Sequence, residues 1–254
     1  MISRKELEAF GKMLGFNAYQ AEKDYLQHAF LSSIYSVSSN EFVFKGGTAL
    51  QKVYGLNRFS EDLDFTFDSP ADPQPFIGKA VAGNRAFTET AIASMHSKGL
   101  SFTAKLKLKG PLFSGSERSL QTIYVEASLR EKPLLKTVTR SIVPPYTDLP
   151  PYIAVTMAPE EILAEKIRAA LTRSKARDLY DLWFLLRKGI RFDSALADRK
   201  LAYYGEAFIE AKFEKNVKAK EKGWESELGR LVKSPPTFKE VSSYVISEVK
   251  RKRS

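Results

Sequence analysis

Apolar positions in the first part of the chain recur at helical spacing. Residues 3–35 read as amphipathic helix in two pieces. Ser3 with Glu6 three residues on makes a capping box for the first piece. Asn17 caps the second, which turns Tyr25, Phe30 and Ile34 inward. The run Phe42-Val43-Phe44 marks a short buried strand over 42–45, and 48–54 reads as helix directly after Gly46-Gly47. A turn follows over Gly55–Phe59, then a strand over 62–67 and a proline-bearing loop over Ser69–Pro75. The spacing predicts a helix over 76–98 with Gly99 as its stop. Residues 101–109 alternate strictly, Phe102, Ala104, Leu106 and Leu108 against Thr103, Lys105, Lys107 and Lys109. Period two means a half-exposed strand with a basic outer face. Gly110–Ser119 turns the chain, and 120–130 returns as its partner strand.

Pro144, Pro145, Pro150 and Pro151 forbid regular structure over 144–151 and set a domain boundary there. Beyond it the pattern turns helical. Pro159 suits a first helical position, with Glu160 and Glu161 in the first turn of a helix reaching Arg173. Further helices are expected over 177–186, 198–222 and 238–249, and the basic tail Lys250–Arg253 is expected to fray. The expected class is α+β: a mixed β-sheet core with flanking helices over 1–150, then a mainly helical domain over 151–254.

Composition narrows the chemistry. The 254 residues hold no cysteine, which removes disulfides and thiolate metal sites, and a cytoplasmic setting fits. Two histidines, His28 and His96, stand in separate helical-looking stretches and argue against His-rich zinc catalysis. No apolar run reaches the roughly 18 residues that span a bilayer, and Met1–Leu14 has no signal-peptide core, so no membrane role is expected. A formal net charge of +10 suits a polyanionic partner, though it also suits a merely basic protein.

Three constellations carry candidate chemistry. Gly46-Gly47-Thr48 joins a strand to a helix, so backbone N–H groups and a hydroxyl are offered to phosphate oxygens; a tight turn without ligand has the same sequence. Asp62 and Asp64 stand two apart, which in a strand puts both on one face with roots about 6–7 Å apart, near enough to share a small cation. A solvated strand face reads the same way. Arg58 and Ser60, just upstream, are both able to contact phosphate. Glu126, in an otherwise apolar strand, is the candidate third carboxylate, and a surface glutamate is its plainer reading. Last, Lys166 and Arg173 lie seven apart on one helix stripe, and Asp178 and Asp181 open the next helix. Four charges around one helix corner suggest a site; surface ion pairs and N-terminal capping explain them equally well.

Taken together, these motifs resemble the AbiEii/AbiGii family of nucleotidyltransferase toxins. The likeness rests on four stretches in the same order and rough spacing: Gly46–Leu50, Arg58–Asp64, Glu165–Arg173 and Arg177–Asp181. It is close over 41–68 and 157–186, architectural in between, and absent beyond about 190. The resemblance implies a polymerase-β-type nucleotidyltransferase core followed by a helical domain that completes the active site. It implies that Gly46, Gly47 and Thr48 meet nucleotide phosphates and that Asp62 and Asp64 bind Mg²⁺, with Mn²⁺ as a substitute. Lys166 is implied at the triphosphate, Asp178 as a further functional acid, and Glu126 less directly as the third metal-binding acid. Arg58, Ser60 and Arg173 join the nucleotide-binding set on their charge and position. An NTP is the implied substrate, RNA (tRNA in some relatives) the acceptor, and a cognate antitoxin the partner.

The expected function is therefore Mg²⁺-dependent transfer of a nucleoside monophosphate to an acceptor, tRNA foremost, as the toxin of a toxin–antitoxin or phage-defence system. The alternative is a catalytically inactive nucleotide- or RNA-binding module on the same fold. A metal-dependent nuclease or phosphohydrolase built from the same carboxylates is the third reading.

Overall fold

The computed structural model describes residues 1–251, and its packing resolves two compact units. The first comprises Met1–Val53, Phe59–Pro133 and Thr137–Thr156; the second takes Tyr54–Arg58, Leu134–Lys136 and the chain from Met157 onward.

The first unit opens with helices α1 (Arg4–Leu14) and α2 (Ala18–Val37). The first carries the expected capping box, Ser3 with Glu6; the second is capped by Asn17 as expected, and Gln20 completes a capping box there that was not part of the expectation. Strand β1 (Phe42–Lys45) runs without a loop into α3 (Gly46–Tyr54). Then come β2 (Leu63–Phe67), α4 (Gln74–Asn84), β3 (Thr90–Lys98), β4 (Ser101–Leu108), β5 (Gln121–Ser128), β6 (Val138–Ile142) and β7 (Tyr152–Thr156). The seven strands form one mixed sheet in the order β3-β4-β5-β2-β1-β7-β6. β2 and β5 pair in parallel, as do β1 and β7; the remaining pairs are antiparallel. Strand alternation sends Phe42, Phe44, Leu63, Phe65, Phe102, Leu106, Ile123 and Val125 to one face, where they share a core with Tyr25, Phe30 and Ile34 of α2. Each fully buried side chain of this size contributes about 1.5–3 kcal/mol. The opposite face is left for the polar row described below.

Four elements differ from expectation. The helix expected over 76–98 stops at Asn84, and 90–98 is the edge strand β3, so His96 lies on an exposed strand. β3 lacks alternation because, as an edge strand, it is exposed along almost its whole length, and pairing with β4 defines it. The strand expected from Asp62 begins at Leu63, with Asp62 in a bend. The sheet also continues past the prolines: β7 follows them and pairs with β1. Finally, the single helix expected over 198–222 is two, split near Gly205, whose φ of 66° no helix accommodates.

The second unit is helical: α5 (Pro159–Thr172), α6 (Ala176–Arg187), α7 (Ser194–Ala202), α8 (Glu210–Ala219), the short α9 (Trp224–Leu228) and α10 (Phe238–Arg251). Buried lysines tie it together. Lys200, fully buried, lies 2.6 Å from Glu161 and 3.2 Å from Glu165. Lys220 closes the end of α5, donating to the carbonyls of Ala170 at 3.0 Å and Arg173 at 2.6 Å. Of the tail expected to fray, Lys250 and Arg251 are helical and Lys250 pairs with Glu210 and Glu214; Lys252 and Arg253 lie outside the described residues. No described helix is long and apolar enough to cross a membrane.

Candidate active site

The β1–α3 junction is built on one residue. Gly46 has φ 72°, a conformation that side chains with a Cβ rarely adopt. A Cβ there would also stand 2.9 Å from Cβ and Cγ of Asp64 and overlap its carboxylate oxygen. The Asp64 carboxylate thus lies against the backbone where α3 begins, beside the first-turn N–H groups that a helix leaves unbonded within itself. Gly47 continues that turn. Thr48 is fully buried, and its hydroxyl donates to the carbonyl of Asp62 at 2.5 Å. The hydroxyl read from sequence as a phosphate ligand here ties α3 to the aspartate segment.

Strand register arranges the acids. Asp64 stands opposite Lys45 of β1 and beside Glu126 of β5, so the three form one charged row across neighbouring strands on a shared face. Lys45 Nζ lies 3.3 Å from Glu131, a buried carboxylate. Asp62 precedes the row by one bend. Among the described residues, no three Asp, Glu, His or Cys side chains gather as a metal cage. The donor set is all oxygen, and a carboxylate seated against an unsubstituted backbone fits a hard cation that keeps water and phosphate in its remaining positions.

Within the helical unit, the Arg177-Asp178-x-x-Asp181 motif becomes a buried ion network. Arg58 grips Asp181 in a fork, Nε to Oδ1 at 2.5 Å and the second guanidinium nitrogen to Oδ2 at 2.7 Å. Lys166 of α5 lies 2.7 Å from Asp181 and 2.9 Å from Asp178. Burial opposes charge on every member. For Asp181, the Arg58 and Lys166 charges outweigh burial and hold the carboxyl below its usual range. For Asp178, Lys166 does the same, with Arg173 and Arg58 adding to it. The carboxylates in turn raise Lys166 and Arg58 above their ordinary values, so all four stay ionised. Arg58, 3% exposed, is thus engaged with a carboxylate rather than open to solvent. Arg173 sits at the C-terminal cap of α5.

Sequence reading passed over three groups. Asp181 was seen only as part of a motif, yet it is the acid that joins Arg58 to Lys166. Gln27 and Gln51 were not singled out, although both hold the backbone of the segment leading to Asp62. The signal for Gln27 was faint: a polar residue inside Ala21–Leu31, a stretch that is buried on all sides.

The first unit is thus a mixed sheet with a charged row and a glycine junction packed on Asp64, and the second is helical with a buried ion network. The chain belongs to the AbiEii nucleotidyltransferase toxin family of type IV toxin–antitoxin systems, whose sequence profile matches residues 29–245. Its fold is similar to that of MenT4, a nucleotidyltransferase toxin from Mycobacterium tuberculosis H37Rv. That match has 20% identity and a TM-score of 0.70, and covers 98% of this chain and 88% of MenT4. JHP933 from Helicobacter pylori is also similar, at 20% identity and a TM-score of 0.55, covering 91% of this chain and 90% of JHP933. No curated protein matches by sequence.

Proposed function

We propose that this protein transfers a nucleoside monophosphate from an NTP to an RNA acceptor, tRNA foremost, and that a cognate antitoxin restrains it in the cell. The observation that carries the reading is Asp64 seated against Gly46 and in register with Glu126. Asp62 and Asp64 would hold a divalent ion, Mg²⁺ or Mn²⁺, which would supply charge neutralisation at the phosphates and a more acidic acceptor hydroxyl; Glu126, the expected third acid, stands beside Asp64 in register but does not close a three-acid cage with them among the described residues. Gly46 and Gly47 bring the backbone close to phosphate oxygens, because no side chain stands between. Lys166 would be a cationic partner for phosphate, and its two carboxylate partners hold it charged. Asp178 and Asp181 keep that ammonium charged and aimed.

The test is incubation with each α-labelled NTP in turn, Mg²⁺ and total RNA. Label should enter RNA with at least one NTP and vanish with Asp64→Ala. No label with any NTP, or equal label with the variant, overturns the proposal. Growth arrest on expression, relieved by a neighbouring gene, tests the antitoxin.

A further inference from the structure

The short segment Ser60–Asp62 is held from two helices of its own unit. From α2, Gln27 Nε2 donates to the carbonyls of Ser60 at 3.0 Å and Glu61 at 2.8 Å. From α3, Gln51 Oε1 accepts the Ser60 amide at 2.9 Å, and Thr48 accounts for the Asp62 carbonyl. Gln51 is itself oriented, because its Nε2 donates to Asp24 Oδ1 at 2.9 Å. Asp24 is buried; burial opposes its charge, but Lys52 at 2.7 Å and the Tyr146 hydroxyl at 2.9 Å keep the carboxyl below its ordinary range. The Ser60 amide and the three consecutive carbonyls of Ser60, Glu61 and Asp62 are thus each placed by a side chain from a helix.

Gln27 is fully buried, and among the described residues its Oε1 has no hydrogen-bond partner. An unmatched buried acceptor costs about 1–3 kcal/mol. An apolar side chain of the same size would avoid that cost, so packing alone does not account for the amide. What the amide does is fix two consecutive carbonyls immediately before Asp62.

We infer that Gln27 and Gln51 are positioning residues that set the geometry of Asp62 and Asp64 for a divalent cation. The inference rests on the metal-binding reading proposed above. Loss of either amide lets the segment relax, and the two carboxylates no longer present one arrangement of oxygens. Outer partners of this kind are worth about 10–100-fold in metal affinity or activity.

The experiment measures Mn²⁺ affinity by calorimetry on the full chain, with unfolding midpoints and nucleotide transfer alongside. It compares the wild type with Gln27→Leu, Gln51→Met and, as a control, Ser33→Ala. Ser33 is a buried polar residue of the same helix whose hydroxyl faces Asn84 and the Ala29 carbonyl instead of the loop. The expected result is Mn²⁺ binding weakened about tenfold or more in a folded Gln27→Leu protein, the same direction for Gln51→Met, and wild-type affinity for Ser33→Ala. Should Gln27→Leu not fold, Gln51→Met decides alone. Wild-type Mn²⁺ affinity in folded Gln27→Leu and Gln51→Met overturns the inference and leaves the proposed function standing. Equal weakening in Ser33→Ala also overturns it, since the effect is then general loosening. A wild-type protein that binds no Mn²⁺ overturns the metal reading itself, and the inference falls with it.

Discussion

Gly46 lacks a side chain where Asp64 has one: a Cβ built at 46 would meet the Asp64 carboxylate head-on. The strand-to-helix junction and the acid are one fitted unit. Gly46→Ala should therefore reduce nucleotide transfer by two orders of magnitude or more, through displacement of Asp64 as well as strain at φ 72°. Destabilisation should be of order 1–3 kcal/mol. Steady-state transfer and urea unfolding check both halves. Wild-type transfer in a folded Gly46→Ala protein would show that the contact is incidental.

The Arg58 fork on Asp181 predicts the opposite pattern, a large effect on stability. Asp181→Ala leaves a buried guanidinium without its carboxylate and should cost about 3–5 kcal/mol. Arg58→Lys replaces a planar fork with a point charge and should also destabilise. Denaturant midpoints for both variants read this directly, and a shift equivalent to under about 1 kcal/mol would mean that the pair behaves as an exposed one.

His28 should make the protein acid-labile well above the carboxylate range. Burial first, then the Lys52 charge, push it down to about 3, and Asp24 only partly offsets them. The ring is neutral in the fold, with Nδ1 3.0 Å from the Tyr152 hydroxyl. The unfolded chain takes up a proton below about 6.5 that the folded chain refuses until about pH 3. Stability should thus fall as pH drops through this interval, with a slope approaching about 1.4 kcal/mol per pH unit. Asp24, Asp178 and Asp181 have lowered values, so their contribution is lost only below about pH 4. Urea midpoints between pH 7 and 4 should show the slope in the wild type and a flatter one in His28→Gln. Equal slopes would assign it elsewhere.

Lys105 and Lys107 lie on the face of β4 opposite the core, where Lys105 stands 5.8 Å from the Tyr124 ring centroid. Lys109 is paired with Glu89 at 2.5 Å. If this face attracts the RNA backbone, Lys105→Ala with Lys107→Ala should raise the KM for RNA several-fold, leave kcat unchanged, and flatten the dependence of KM on salt. An unchanged KM at low and moderate salt would leave the lysines as ordinary surface charge.

Local signals were legible and distant ones were not. Ser3, Asn17 and Pro159 each mark a helix start through chemistry confined to a few residues, and those starts are where the sequence indicates; α3 begins at Gly46, two residues ahead of the start read at 48. The β4–β5 pairing followed from the alternation at 101–109. Edge strand β3 escaped because nothing in Thr90–Lys98 alternates; a strand 11 residues downstream of its start gives it identity. At the candidate site, Gly46 and Asp64 were both singled out, but their contact depends on antiparallel pairing of β1 with β2. The Arg58–Asp181 fork joins residues 123 apart, and no spacing rule reaches that far. Gln27 was hidden for a different reason: a buried amide looks like any polar residue until its two carbonyl partners are known.

The most direct measurement follows both ends of the nucleotide. Wild type and Asp64→Ala are incubated with RNA, Mg²⁺ and the same NTP, labelled in one reaction at the α-phosphate and in another at the γ-phosphate. Monophosphate transfer predicts α-label in RNA and γ-label in released pyrophosphate, both lost with Asp64→Ala. Free inorganic phosphate with unlabelled RNA, or label that survives the variant, would contradict it.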